Sequence, residues 1–201
     1  MLTIIGSDDG TVRLWEVQTG RCMKTLRFQT TVDESSSTTK SSAVIRCVAW
    51  SPNDALSLLA VAVDTSVVIV NTGLGDKVII SNTDDMLAKA DEKSSDAAEE
   101  EDGKKAPATW TTFDSNKADA AQGFRVKITH AKPVSQVTWH GRGDYFAVTL
   151  KDGANMSVLI HQLSKRRSQN PFSKAKGIVQ CVMFHPTRPF FFVAVSLIIL
   201  P

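Results

Sequence analysis

The hydrophobic pattern of the chain consists of short β-branched runs that follow turn-forming residues. Gly6–Gly10 has the composition of a tight turn, because an Asp-Gly pair supplies the positive φ angles of a hairpin. The run that follows, Thr11–Trp15, is rich in the β-branched and aromatic residues that strands prefer. Related runs recur at 66–71 and 157–162, where apolar residues occupy both odd and even positions. This is typical of strands that are covered on both faces. The pattern predicts a series of antiparallel hairpins.

A second string of residues also repeats along the chain. Val48–Pro52, Val137–Gly141 and Val182–Pro186 each contain an alternating strand, an aromatic residue and a turn. Phe184 follows Trp139 by 45 residues, whereas Trp139 follows Trp50 by 89, so the middle unit carries an insertion. With the hairpin that ends in Leu-Trp-Glu, this period resembles the WD40 repeat, in which four antiparallel strands form one blade of a β-propeller.

We therefore predict an all-β fold: a WD40 β-propeller fragment of about two whole and two partial antiparallel four-stranded blades. The expected divisions are a partial blade (1–28), a Ser/Thr-rich linker (29–42), a blade with an acidic insertion (43–132), a blade with a basic loop (133–176) and a partial blade with a divergent tail (177–201). Because the chain begins and ends within blades, we expect it to be part of a larger propeller whose closed ring would remove exposed strand edges.

The WD40 resemblance also implies residues that brace each blade. The resemblance and the repeated strings together give the predicted structural residues Asp9, Trp15, Trp50, Asp64, His130, Trp139 and Phe184. The bracing set is incomplete in every blade, since its tryptophan position is occupied by Val70 in one copy and His161 in another. We interpret His130 as a scaffold residue and not as a catalytic one.

A segment of biased composition interrupts the second blade. Residues 81–107 carry nine acidic residues against four lysines and few apolar residues, so we predict disorder across the insertion at about 81–122. The strand Phe124–Thr129 is expected to be the outer strand of the same blade. Two interpretations remain open for the insertion: a solvated spacer, or an acidic tether for a basic partner such as a ribosomal protein or assembly factor.

The loop 164–176 has the opposite charge and contains no acidic residue. Lysine and arginine that meet phosphates release condensed counterions and give salt-dependent affinity, and arginine also stacks on unpaired bases. The candidate RNA-binding residues in this loop and in the turns of the flanking repeats are Lys165, Arg166, Arg167, Lys174, Lys176, Arg142 and Arg188. A merely solvated face and a short nuclear localisation signal are the alternatives.

Composition narrows the class of protein. The net charge of +2 alone indicates nothing about nucleic acid, and 42% hydrophobic residues fit an ordinary folded domain. Three widely spaced cysteines show neither metal nor disulfide spacing, which favours a reducing compartment. The apolar run 190–200 is too short for a bilayer and reads as a strand. We find no catalytic motif, cofactor motif or metal motif, and we interpret His140 and His185 as turn residues.

One resemblance is closer than the general WD40 pattern. The strings at 135–145, 158–172 and 184–190 resemble the propeller of the block-of-proliferation (Bop/Erb) ribosome-biogenesis family, and Gly6–Val17 and Val44–Pro52 are in register with it. The resemblance covers most of residues 1–195 apart from the acidic insertion. The long N-terminal region through which the family binds the Pescadillo protein is absent from this sequence.

The resemblance implies a non-catalytic scaffold of the nucleolus and nucleoplasm. Family members join Pescadillo and a second WD-repeat protein in a complex required for maturation of large-subunit ribosomal RNA. The implied partners are therefore that WD-repeat protein, pre-ribosomal RNA and large-subunit precursors, with no membrane, small-molecule substrate or cofactor. The alternatives are a general WD40 interaction adaptor without RNA binding, and a truncated product that is inactive by itself.

Overall fold

The computed structural model describes residues 2–29, 43–97, 106–114, 118–151, 157–172 and 177–196, with side chains in 93–97 left out. The chain folds mainly into β-strands. In chain order they are β1 (Leu2–Gly6), β2 (Thr11–Glu16), β3 (Arg21–Arg27), β4 (Ile45–Trp50), β5 (Leu58–Val63), β6 (Ser66–Asn71), β7 (Ala108–Thr112), β8 (Phe124–His130), β9 (Val134–Trp139), β10 (Tyr145–Leu150), β11 (Val158–Gln162), β12 (Arg167–Gln169), β13 (Ile178–Phe184) and β14 (Phe191–Ser196). The helices are α1 (Lys77–Ala97), α2 (Ala118–Gln122) and a single 3-10 turn, Leu163–Lys165.

These strands form four consecutive antiparallel sheets, as predicted for propeller blades. Their orders are β1-β2-β3, β4-β5-β6-β8-β7, β9-β10-β11-β12 and β13-β14. The second and third sheets contain whole blades, and the first and last contain three and two strands. The described strands do not close into a ring. The all-β propeller-fragment class is therefore confirmed.

The first hairpin shows how local sequence fixes a blade. β1 pairs with β2 from Leu2↔Glu16 to Gly6↔Val12, and Gly10 has the positive φ of 75° that its turn requires. The Asp9 carboxylate accepts hydrogen bonds from Thr11 N at 2.9 Å and Thr11 Oγ1 at 2.6 Å. These two bonds from Thr11 keep the pKa of Asp9 far below its usual value.

The core lies on both faces of the second sheet. Every residue of β5 and β6 is buried. Leu58, Ala60 and Ala62 pack towards the third sheet, whereas the intervening Leu59, Val61 and Val63 pack towards the first. This two-sided burial explains why apolar residues fill both parities of these strands, as the sequence indicated.

The insertion differs from the prediction of disorder, which is wrong for most of residues 81–122. Residues 77–97 form α1, 108–112 form β7 at the edge of the second sheet, and 118–122 form α2. The physical reason is a narrow buried stripe: Thr83, Leu87 and Ala90 are buried although most residues of the helix are polar or charged. Residues 98–105 and 115–117 lie outside the described residues.

The basic segment and the segment after Pro189 both contain a β-strand. The basic segment 164–176 is not a plain loop, because it begins in the 3-10 turn and continues as β12, which pairs with β11. The strand expected after Pro189 is present as β14, paired with β13. The Ser/Thr-rich segment 31–42, residues 173–176 and the tail 197–201 lie outside the described residues. Cys22, Cys47 and Cys181 lie in strands as free thiols.

Candidate nucleic-acid interface

Turns of successive blades meet at one end of the sheets. A Cβ atom on Gly143 would lie 2.5 Å from Ser51 Oγ and 2.6 Å from Asn53 Cβ, so the turn 140–144 touches the β4–β5 turn. A Cβ atom on Gly141 would lie 2.5 Å from the carbonyl oxygen of Pro186, so the same turn also touches the β13–β14 turn. Both glycines are therefore needed for this close approach. We call the surface formed by the turns 51–57, 140–144 and 185–190 the turn face.

Asp144 connects the basic segment to the turn face. Its Oδ1 accepts from Ser164 N at 2.9 Å, and its Oδ2 accepts from Ser164 Oγ and Gln162 Nε2, each at 3.0 Å. Its backbone oxygen also accepts from Leu163 N at 2.8 Å. Asp144 thus holds the 3-10 turn against the turn 140–144. Sequence reasoning missed this residue, because its partners lie 18 and 20 positions away and no local turn pattern indicates them.

Three of the predicted RNA-binding residues reach the turn face. Arg142 and Arg188 are exposed in adjoining turns, and Lys165 is exposed at the end of the 3-10 turn that Asp144 anchors. Arg167 is exposed at the start of β12. Arg142 and Arg188 therefore lie in turns that touch each other, and Lys165 follows Ser164, which Asp144 ties to the first of these turns. Lys174 and Lys176 lie outside the described residues.

Arg166 has a different environment from its neighbours. Its side chain is only 5% exposed and its Nη1 lies 2.5 Å from Asp91 Oδ1 of α1. Nη1 also donates to Thr112 Oγ1 at 2.8 Å and Nη2 to the Leu87 carbonyl at 3.5 Å. The backbone at Arg166 is left-handed, with a φ of 47°. This conformation directs the Arg166 side chain into the protein, so its guanidinium is not presented at the surface as RNA binding would require.

The acidic helix α1 is held against the second sheet by further polar contacts. Arg125 Nε donates to Asp84 Oδ1 at 2.8 Å, and Asn71 Nδ2 donates to the same oxygen at 2.9 Å. Burial acts to raise the pKa of Asp84, but the hydrogen bonds from Arg125 and Asn71 outweigh it and lower the pKa. Buried Thr83 accepts from Ser57 N at 2.9 Å. The carboxylate of Asp84 therefore binds residues of the second sheet and is not free to attract a partner.

A buried hydrogen-bond chain joins the second and third blades. His130 Nδ1 lies 3.0 Å from the Thr65 carbonyl, His130 Nε2 lies 3.1 Å from His161 Nε2, and His161 Nδ1 lies 2.9 Å from Ser168 Oγ. Trp110 Nε1 donates to the same hydroxyl at 2.8 Å. With both imidazoles neutral, the Thr65 carbonyl fixes one arrangement of protons: His130 Nδ1 donates to that carbonyl, His161 Nε2 donates to His130 Nε2, and the Ser168 hydroxyl donates to His161 Nδ1.

Burial enforces that neutral state. It lowers the pKa of His130 to about 4, although the bond to Thr65 opposes the shift. Burial also lowers the pKa of His161 well below its usual value, and His130 adds to the effect. A proton on either ring would place a positive charge in a buried site, and in the part of the chain that the structure describes no carboxylate contacts either ring to compensate it. These histidines are therefore suited to hold blades together, and their geometry offers no open position for a substrate.

The remaining predicted blade residues occupy varied environments. Trp139 Nε1 donates to the Ala49 carbonyl at 3.0 Å, whereas the buried Trp15 Nε1 has no hydrogen-bond partner among the described residues. Trp50 is half-buried against the core between the first and second sheets. The Phe184 ring lies 5.4 Å from that of His140. The carboxylate of Asp64 has no partner among the described residues, since His130 contacts the carbonyl of Thr65 instead.

His140 and His185 lie in turns of the turn face. His140 Nδ1 accepts from Arg142 N at 3.3 Å, and His185 Nδ1 accepts from Thr187 N at 3.1 Å and Arg188 N at 3.0 Å. In the part of the chain that the structure describes, no group of three or more histidine, cysteine or acidic residues is placed to hold a metal ion. No described helix is both long and apolar enough to cross a membrane.

The fold defines an all-β protein of the β-propeller-fragment class, with an interblade histidine chain and a turn face that presents cations. No protein-family model matches the chain. The chain is 51% identical over 191 residues to the ribosome biogenesis protein BOP1 homolog of Drosophila ananassae, 50% to that of Drosophila grimshawi and 49% to that of Drosophila willistoni. Each match covers 95% of this chain and 22% of the relative.

The resemblance to the block-of-proliferation family is thus confirmed, and this chain corresponds to one segment of the longer family proteins. The chain spans about a fifth of the length of these relatives.

Proposed function

We propose that this chain acts in ribosome biogenesis as a non-catalytic scaffold. The observation that supports this most strongly is the identity of about half of its residues to ribosome biogenesis proteins over 95% of its length. In finer detail, we propose that it serves a nucleolar and nucleoplasmic complex containing a Pescadillo-type protein and a second WD-repeat protein. That complex would process large-subunit ribosomal RNA. The Pescadillo-type protein would bind a region outside this sequence.

We further propose that the turn face contacts pre-ribosomal RNA. Arg142, Lys165 and Arg188 project from elements that Asp144 and the two close glycines hold in fixed positions. Fixed cations on adjoining turns suit a phosphate backbone, because each neutralised phosphate releases counterions into solution. We also propose Arg167, Lys174 and Lys176 as RNA-binding residues. Arg166 is left out of this set, because its guanidinium is paired with Asp91.

The sheet supplies a matched control for this proposal. Lys132 and Lys151 are also exposed, but they lie at the other end of β9 and β10. Lys151 N donates to the Pro133 carbonyl at 2.8 Å, which places these two lysines together. The double variant Arg142→Glu/Lys165→Glu and the control Lys132→Glu/Lys151→Glu therefore change net charge equally at opposite ends of one blade.

Fluorescence anisotropy with labelled single-stranded RNA tests the proposal across a series of salt concentrations. We expect the turn-face variant to bind about tenfold more weakly at low salt and its salt slope to fall by about 1.4, since each lost contact to single-stranded RNA removes about 0.7. The control variant should retain most of the affinity. Equal loss in both variants would mean that net charge alone attracts RNA. If the parent chain binds heparin as tightly as it binds RNA, a general interaction adaptor would be favoured instead.

A further inference from the structure

A second candidate site lies between the first and second sheets, away from the basic segment. A cavity of about 320 Å³ there is lined by Phe28, Phe113, Phe124, Asp64, Asp119 and Lys127, among others. Its size falls within the range of about 300–1,000 Å³ that is usual for ligand sites. We call it the Phe pocket.

The apolar part of the Phe pocket consists of three packed rings. Phe124 stacks on Phe28 with ring centroids 4.7 Å apart, and Phe113 lies 5.6 Å from Phe124. Backbone hydrogen bonds fix two of these residues: Phe28 N donates to the Gly10 carbonyl and Phe113 N to the Arg125 carbonyl. Phe28 and Phe124 are buried at 5% and 3% exposure, so the half-buried Phe113 ring, which they support, is the main aromatic surface of the pocket.

Two carboxylates lie at the same pocket. Asp64 is in the β5–β6 turn with a φ of 49°, and Asp119 is in α2. Both are half-buried, and neither side chain has a hydrogen-bond or ion-pair partner among the residues that the structure describes. Lys127 also lines the pocket, so the local formal charge is −1. A partly desolvated carboxylate without a partner favours a cation.

These features together specify one kind of ligand. Aromatic faces attract cations and cover aliphatic stems, whereas carboxylates pair with the charged end of the same side chain. Phosphate groups would be repelled by Asp64 and Asp119. We propose that the Phe pocket binds an arginine or lysine side chain from a basic protein segment. Phe113 and Asp119 come from the insertion, so this site depends on the segment that interrupts the blade.

The probe for this proposal is a fluorescein-labelled peptide that carries three arginines separated by Gly-Ser pairs. Its control peptide has citrulline, the uncharged analogue, in place of arginine. Anisotropy titrations at low salt compare the parent chain with Asp64→Asn, Asp119→Asn and Lys127→Gln. Asp8→Asn serves as the matched control, because Asp8 is exposed in another turn and its loss changes net charge equally. Asparagine tolerates the left-handed backbone at position 64, and urea unfolding checks every variant.

We expect Asp64→Asn and Asp119→Asn each to weaken arginine-peptide binding by about three- to fivefold, the usual effect of a partly exposed ion pair. Lys127→Gln should strengthen arginine-peptide binding by about twofold, because it removes a repelling positive charge. A folding defect would weaken binding and could not produce this increase. Asp8→Asn should change the binding little. The proposal is overturned by equal binding of the citrulline peptide, by aspartate variants that match Asp8→Asn, or by the absence of saturable binding. Labelled RNA whose binding is lost in Asp64→Asn would assign the pocket to nucleic acid instead.

Discussion

Acidification should loosen the contact between the second and third blades through the His130–His161 pair. Both rings are buried and neutral, and burial disfavours the charged form of each imidazole. The pKa of His130 falls from 6.5 to about 4 on folding, so the unfolded chain binds a proton that the folded chain does not. The free energy of unfolding must then decrease as the pH falls below about 6.5.

The size of this effect follows from the pKa of His130. At about 1.4 kcal/mol per pKa unit, the whole difference corresponds to about 3 kcal/mol. This contribution is fully present above pH about 6.5, has fallen by about 2 kcal/mol at pH 5, and is lost below pH about 4. His161 changes stability in the same direction, because its pKa is also lowered by burial. The aspartates whose pKa is lowered, Asp9 and Asp84, act mainly below this range.

Urea unfolding monitored by far-UV circular dichroism at several pH values between about 5 and 7.5 measures this dependence. The double variant His130→Asn/His161→Gln should be less stable at neutral pH but should lose little further stability on acidification. His185→Asn is the matched control, since it removes a histidine from the turn face and should keep the steep dependence of the parent chain. A parent chain with equal stability at pH 5 and 7.5 would refute the neutral-pair interpretation.

Three other predictions concern stability and are checked by urea unfolding at neutral pH. Phe146→Ala removes a fully buried ring that packs on Trp139 and His161, so it should lower the free energy of unfolding by about 3–5 kcal/mol. A decrease below about 1 kcal/mol would mean that this core is not formed. Asp91→Asn should cost about 3 kcal/mol, because it leaves the buried Arg166 guanidinium without its ion-pair partner, and Arg166→Ala should cost less, about 1–2 kcal/mol, because the Asp91 that remains is half exposed and can be rehydrated; the reverse order would contradict the burial of Arg166. Leu87→Ala should cost about 2–3 kcal/mol and expose α1 to limited proteolysis, whereas unchanged cleavage would show that the helix is not docked through Leu87.

The strands were predictable because their signals are local. Gly10 supplies the positive φ of the first hairpin turn, and the continuous apolar run of β6 indicates two covered faces. The helix α1 was missed because charged residues dominate its composition, although Thr83, Leu87 and Ala90 follow helical spacing. An amphipathic interpretation of residues 77–92 would have found it. Average composition therefore concealed a narrow buried stripe.

The candidate interface was less predictable because its geometry depends on distant partners. Arg166 appears identical to its basic neighbours in sequence, yet it contacts Leu87, which is 79 positions away. Similarly, the Phe pocket joins Phe28 of the first sheet to Asp119 of the insertion. No periodicity or spacing within either segment encodes such contacts. They arise only when blades pack side by side.

We propose that this chain binds pre-ribosomal RNA through its turn face. Ultraviolet crosslinking in cells, followed by sequencing of the RNA bound to the tagged chain, tests it most directly. We expect the parent chain to crosslink several-fold more precursor sequence of large-subunit ribosomal RNA than the Arg142→Glu/Lys165→Glu variant does, and the Lys132→Glu/Lys151→Glu control to resemble the parent chain. Crosslinks that merely follow the abundance of cellular RNA, or that persist unchanged in the turn-face variant, would contradict it.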